Sequence, residues 1–428
     1  MKSRIDKLLF DRINPILIAV FRIVFGVFAF LEILYFYKTH LIEDYIIQPK
    51  VLFNYSFLPL APFSEGVLDL MLGITLISTI FIMIGKYYRA AIITFFIGFT
   101  YFFLLDKSYY NNHLYLLSLI AFLMIFIPAD NALSLGKKDK IKPTLGWHLR
   151  ILQFQLIVVY FFGGLAKING DWLTFYEPLT TILKSNTIHS EVLAMFLAYT
   201  GLLFDLCIGF FLLMKRTRLY AVIMVLLFNI TNHFLFDDIN IFPFFMMASL
   251  VLFFELNEFS FLSKFNKFKY DKENTVVPSK LVLFGLSAFV LIQILMPLRH
   301  YAIPGNVDWN GEGQRFSWRM KIQTRSIKEC EFAIFDLDKK TIYPVEINQH
   351  IHNIQKEQMI YHPKMILDFA HYLKEYAREN RIPNTMIKAK IKVKFNQRES
   401  VEIISPEIDL SKEEWNSFTH NEWIKPLE

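Results

Sequence analysis

The stretch YFFGGLAKINGDWL, Tyr160 to Leu173, places Lys167 directly after an unbroken apolar run. A lysine in that position suits proton abstraction, provided its amine is uncharged. A free lysine titrates near pH 10.4, roughly, and burial disfavours its ammonium form. Phe161, Phe162, Gly163 and Gly164 supply a desolvating wall in this reading, and the two glycines would let a flat ring approach the backbone closely. Three further polar groups of residues abut apolar runs. Asn111, Asn112 and His113 lie in YYNNHLY; Asn229, Asn232, His233 and Asn240 in NITNHFLFDDIN; Arg299 and His300 in RHY. Amine, amide, imidazole and guanidinium groups at one depth suit the lining of a cavity. Singly, each has a plainer use: a lysine at a helix end snorkels, Asn and His cap helices, and Trp172 fits an interfacial aromatic belt.

These groups need helices to hold them. The 428 residues are 54% hydrophobic and 17% aromatic, with 45 phenylalanines and only 20% charged. That balance excludes an ordinary soluble globule. Nine apolar stretches are long enough to be spans: roughly 15–37, 66–85, 89–105, 112–128, 149–167, 192–214, 219–236, 240–257 and 280–298. The first begins too early and runs too long for a cleaved signal peptide, so it reads as a retained anchor. The expected architecture is a polytopic α-helical membrane protein of about nine transmembrane helices, residues 1–298. A small C-terminal α+β extramembrane domain, residues 299–428, follows.

The net charge is +6, and its placement orients the chain. Loops on one side carry Lys2, Arg4, Lys7 and Arg12; Lys86 and Arg89; Lys137, Lys138, Lys140, Lys142 and Arg150; Lys215, Arg216 and Arg218; and Lys264, Lys267, Lys269, Lys272 and Lys280. The opposite loops carry only Lys38, Lys50, Lys107, Lys167 and Lys184. Lys and Arg favour the cytoplasmic side. The expectation is a multi-pass protein of the cell membrane with its N-terminus cytoplasmic and its C-terminal domain extracytoplasmic. Each basic cluster abuts a span, which argues against nucleic acid as a partner. Around Cys207 and Cys330 there is no metal-ligand spacing, and no metal is expected.

Other segments read more simply. Arg22 and Glu32 in the first span lie nearly three turns apart, so each is expected to meet a partner on another helix. Residues 38–65, with Pro49, Pro59 and Pro62, are expected to lie along the outer membrane surface, and 174–190 to form an interfacial or re-entrant piece. In the tail, Ile387, Ala389, Ile391, Val393 and Phe395 alternate with lysines, which predicts a half-buried strand with a solvated lysine face. CEFAIFDLDKKTIYPVEI predicts two strands about a turn at 338–340, and Met365, Ile366, Phe369, Leu373 and Tyr376 have helical spacing. The residues alone leave the pocket open to two classes, transporter or enzyme.

GGLAKINGDWL resembles the stretch around the active lysine of the vitamin K-dependent γ-carboxylases and their bacterial relatives, the group with the horizontally transferred transmembrane (HTTM) domain. NNHLYL is similar to that family's Asn-Asn-His segment. RHYAIPGNVDWNGEGQRFSWRMKIQTRS resembles the segment after its last membrane helix, and HPKMILDFAHYLKE resembles its bacterial members. The four matches come in family order, from about residue 100 to 380. The resemblance implies a reaction in which reduced vitamin K, a menaquinol or similar lipid-soluble hydroquinone, is deprotonated and oxygenated to its epoxide. The strong base so formed removes a γ-hydrogen from a peptide glutamate, which then takes up carbon dioxide. It implies Lys167 as the base acting on the hydroquinone and His113 in the glutamate step.

Asn112, Gln323, Arg325 and Lys184 are the candidates on the substrate side, with Gln323 standing where the animal enzymes carry histidine. Gly163, Gly164, Trp172, His233, Asn240, Arg299 and Met320 are the candidates on the cofactor side. The implied partners are the bilayer, the quinone and a glutamate-containing protein or peptide. The small tail does not imply a propeptide-binding surface. Two alternatives stay open: quinol oxygenation without carboxylation, and a non-enzymatic transporter or lipid-binding protein.

Overall fold

The computed structural model describes residues 4–136, 141–236, 239–258 and 279–427. Of the basic residues above, Lys2, Lys137, Lys138, Lys140, Lys264, Lys267, Lys269 and Lys272 lie outside the described residues. Apolar helices occupy all nine expected stretches: α1 (Ile16–Lys38), α2 (Glu65–Ile84), α3 (Tyr88–Leu105), α4 (Asn112–Phe126), α5 (Gly146–Ala166), α6 (Glu191–Leu213), α7 (Arg218–Leu235), α8 (Phe242–Phe253) and α9 (Lys280–Leu298). Seven are long and apolar enough to cross a membrane, while α4 and α8 are shorter. At 1.5 Å per residue the 15 residues of α4 fall short of a hydrocarbon core of about 30 Å. Its limits are local: the Asn111 side chain caps its start, and Pro128 forces Ile127 into extended backbone. The last turns of α8, Ser249–Phe253, tighten into a 3-10 helix.

In lipid the contact between helices rests on packing rather than on escape from water. Here phenylalanines supply much of it. Phe25 of α1 meets Phe95 of α3 edge-on at 5.6 Å, and Phe36 stacks on Phe99 at 6.0 Å. Such pairs contribute about 0.5–1.5 kcal/mol each beyond area burial. Arg22 donates to Ser134 Oγ and to the Leu133 carbonyl, both at 2.6 Å, in the loop after α4. Its partner is therefore a loop and not another helix. Gly85, at φ +71°, ends α2 beside this guanidinium, where a Cβ would collide with Arg22. Glu32 does meet another helix, at His113 of α4.

The C-terminal region is a four-stranded antiparallel sheet in the order β2-β1-β3-β4, from β1 (Arg325–Asp336), β2 (Thr341–Pro344), β3 (Thr385–Phe395) and β4 (Ser400–Glu402). Helix α10 (Pro363–Glu379) packs on one face, with Phe369 edge-on to Phe332 at 4.9 Å. The predicted alternation in β3 holds: Ile387, Ala389, Ile391, Val393 and Phe395 are buried. The lysines take the other face, where Lys388 pairs with Glu407 at 2.9 Å and Lys390 with Glu329.

This domain is bonded to the helix ends. Asp106, between α3 and α4, accepts from the Phe53 and Ser108 amides and from Gln355, at 3.0, 2.6 and 2.8 Å. Lys107 pairs with Asp368 at 2.8 Å, and burial pulls its amine down to about 8. Part of the 38–65 loop thus lies against the C-terminal domain. Phe53 is buried in that domain's core, and the Lys50 amide donates to the His350 carbonyl at 2.8 Å. The 174–190 segment contains a short helix, Leu179–Ser185.

Candidate functional site

Lys167 is the C-cap of α5, and its amide closes the last turn onto the Gly164 carbonyl at 2.9 Å. The side chain is buried, its amine in contact with the Asp205 carboxylate of α6 and 5.2 Å from the centre of the Trp172 ring. The groups beside the amine are therefore a carboxylate and an indole, and neither Phe161 nor Phe162 lines the cavity. Gly163 and Gly164 explain how the carboxylate arrives. A Cβ on Gly164 would stand 2.8 Å from the Leu206 amide nitrogen, and one on Gly163 3.6 Å from Asp205 Oδ2 and Met320 Cε. The pair faces α6 and Met320, so these glycines bring two helices together instead of exposing backbone to a ring.

A cavity of about 740 Å³ opens beside this pair, within the usual size of small-molecule sites. Lys167, Asp205, Trp172, Asn112, His113, Asn229, Met320 and Gln323 line it. Its apolar wall comes from Phe196, Leu197 and Phe204 of α6 and Met224, Leu227 and Phe228 of α7. Phe196 and Leu227 are also exposed on the flank of the bundle, the side a lipid-soluble molecule would meet. The opposite wall comes from residues 314, 315 and 319–323 and from Glu357, Gln358, Tyr361 and His362 of the C-terminal domain. The cavity thus has a greasy side and a polar end.

The His113 amide donates to Asn111 Oδ1 at 3.4 Å, a cap that sets the start of α4. From there His113 Nε2 reaches Glu32 Oε1 at 3.2 Å, both side chains buried. Asn112 Oδ1 accepts from the Tyr110 hydroxyl at 3.1 Å, and that hydroxyl accepts from the Phe316 amide at 2.7 Å. Asn229 donates to Tyr160 Oη at 3.3 Å. Trp172 is held by its indole N–H on the Ala198 carbonyl at 2.9 Å.

The remaining expected site residues lie off the cavity lining. Arg325 spends its guanidinium on the carbonyls of Ile360, Asp308 and Trp309, and its Nε on Gln323 Oε1 at 3.3 Å. It sits among the rings of Trp309, Tyr361 and Phe395, and burial pulls it down to about 10. A guanidinium so engaged orients Gln323 and has no free donor edge for a carboxylate. Arg299 donates to the Met296, Ser317 and Arg315 oxygens and staples the turn after α9. Lys184 reaches Gln397 at 3.3 Å on the surface. The His233 ring packs against Phe244 at 4.8 Å, and Asn240 adopts a left-handed φ of +44° in the turn leading into α8.

Several lining residues escaped the sequence reading. Asp205 had a usable signal, a lone acid inside an apolar run. Arg319 had none. It lines the cavity, donates twice to Asp308 at 2.8 and 2.6 Å and approaches His300 Nε2 at 3.3 Å. His362 lines it too, buried and pushed well below the usual imidazole range by desolvation and by the charges of Arg315, Arg325 and Lys107. It is therefore an uncharged imidazole at neutral pH.

Polar side chains on one side and an apolar α6–α7 wall on the other are the two kinds of surface that a hydroquinone with a hydrocarbon tail would need. Among the described residues no cluster of His, Cys, Asp and Glu has metal-binding geometry.

Comparison with known families agrees in both halves of the chain. Residues 10–257 match the HTTM domain, and residues 278–428 match the vitamin K-dependent gamma-carboxylase lumenal domain. The second match begins just before α9, so it takes in the last apolar helix. No solved structure matches the chain significantly. A membrane domain and a lumenal domain of one family, in order along one chain, place this protein in the vitamin K-dependent γ-carboxylase family.

Proposed function

We propose that this protein couples oxygenation of reduced vitamin K to its epoxide with carboxylation of a peptide glutamate. The observation that carries the reading is that Lys167 and His113 line one cavity, each held by a buried carboxylate from another helix. Bound in that cavity, the hydroquinone would supply the reducing equivalents for oxygen and the base for the glutamate. The protein's part is to take the first proton, keep water away and orient both molecules.

Lys167 is the proton acceptor. Its amine contacts the Asp205 carboxylate; with a proton resting on that carboxylate, the amine lone pair is free to accept one from the hydroquinone. Taking a second proton gives the pair a positive charge, which sits beside the anion it has created. Desolvation by the aromatic wall strengthens that attraction. His113 and Asn112 serve the glutamate step from the α4 side, with Gln323 presented by Arg325 from the opposite wall.

The arrangement of basic loops supports a cytoplasmic N-terminus, an extracytoplasmic C-terminal domain from about residue 299, and residence in the cell membrane. A glutamate-containing protein then reaches the cavity from the outer water, and the quinone from lipid. The test uses purified protein in lipid nanodiscs with reduced vitamin K and oxygen, then with a glutamate peptide and labelled carbon dioxide. Epoxide and label incorporation are expected, and both should vanish in Lys167→Ala. Epoxide without label would instead favour quinol oxygenation alone, a reading to which the inward commitment of Arg325 lends weight. Neither product would leave the transporter reading.

A further inference from the structure

Glu32 is a carboxylate in the first span, 2% exposed, on the same buried face of α1 as Phe25, Ala29 and Phe36. A buried carboxylate is costly and persists only where it is paired. It is not there to neutralise the span's own arginine. Arg22 lies ten residues away, about 15 Å along the helix axis, and donates instead to Ser134 and the Leu133 carbonyl. The partner of Glu32 is His113 Nε2, at 3.2 Å.

That contact has a chemical consequence. An ionised carboxylate only accepts, so opposite it Nε2 carries the proton, and the lone pair of a neutral imidazole is then at Nδ1. The main chain of His113 is already set by the Asn111 cap, so the carboxylate is the group that fixes the ring. His113 also lines the cavity. We infer that Glu32 is a positioning residue that holds His113 as the Nε2–H tautomer and leaves Nδ1 as the acceptor for the reacting molecule in the cavity. The inference rests on the reaction proposed above for its catalytic part, but the tautomer stands or falls by itself.

Two measurements test it. Nitrogen-15 NMR of histidine-labelled protein in nanodiscs, with the His113 signal assigned by its loss in His113→Ala, should show a protonated Nε2 and a bare Nδ1. A protonated Nδ1 with bare Nε2 overturns the inference, whatever the enzyme does. In the carboxylation assay Glu32→Leu should lower kcat by about 10- to 100-fold, the scale of losing the partner that orients a metal-bound histidine, with KM for the peptide little changed. Glu32→Gln, whose amide oxygen still accepts from Nε2–H, should recover much of that loss. Glu32→Leu added to His113→Ala should cost nothing further. A Gln variant as poor as Leu, or a full additional loss on the His113→Ala background, overturns it. A wild-type protein that incorporates no label would sink the proposed reaction and leave the NMR result to decide the role of Glu32.

Discussion

The Lys167–Asp205 contact offers the sharpest energetic test. Both side chains are about nine-tenths buried, 11% and 7% exposed. Changing Asp205 to Asn leaves the lysine without its counter-charge inside the bundle. Breaking a buried pair in this way costs roughly 3–5 kcal/mol. The Trp172 ring, 5.2 Å from the amine, remains and offsets part of that, by about 1–2 kcal/mol for a desolvated cation over an indole. A net loss of roughly 1–4 kcal/mol is expected. Replacing both residues, Asp205→Asn with Lys167→Met, removes the uncompensated charge, and apolar replacement of a buried pair is often near neutral. The double variant should therefore be more stable than Asp205→Asn alone, with a coupling energy of about 2–3 kcal/mol. Reversible unfolding in mixed micelles by denaturing detergent measures all four corners of the cycle. Epoxide formation run on the same samples should be equally absent in Lys167→Met and in the double variant. If the two single changes instead add within about 0.5 kcal/mol, amine and carboxylate are not energetically coupled, and the charge argument for the base is wrong.

Three further outcomes follow from the geometry. His113→Ala should reduce carboxylation more than epoxide formation, measured on the same preparation; equal losses contradict the separate roles of His113 and Lys167. Gly164→Ala places a Cβ 2.8 Å from the Leu206 amide nitrogen. It should push α5 from α6 at a cost of about 1–3 kcal/mol and lower epoxide formation by moving Asp205 off Lys167, whereas Gly170→Ala, with nothing within 4 Å, should do neither. His362 binds a proton far less readily in the folded protein than in the unfolded chain. Stability should therefore fall as pH drops below roughly 6.5, with a slope approaching 1.4 kcal/mol per pH unit from this group. Above that pH it contributes no dependence. His362→Gln should flatten the acid limb of a stability–pH curve, and an unchanged limb would show that the imidazole is not held neutral.

The apolar helices, the alternating strand at 385–395, the helix at 363–379 and the position of Lys167 at a helix end were all legible in the sequence. Each is a local property, written in hydropathy, period or a cap within a few residues. The end of α8 was less so: it stops at Phe253, short of the 257 expected, and its last turns are 3-10 helix, whereas α4 ends within two residues of the expected 128.

What only the tertiary structure decided is which polar groups meet. Lys167 and Asp205 are 38 residues apart, and Glu32 and His113 are 81 apart. In a soluble helix the apolar stripe says which face turns inward. A membrane helix is apolar towards lipid and towards its neighbours alike, so that stripe is weak and the facing pairs stay hidden. The same reason explains Arg325. Resemblance to the family suggested a substrate contact, but the carbonyls of Asp308, Trp309 and Ile360, brought together by folding, engage its donors.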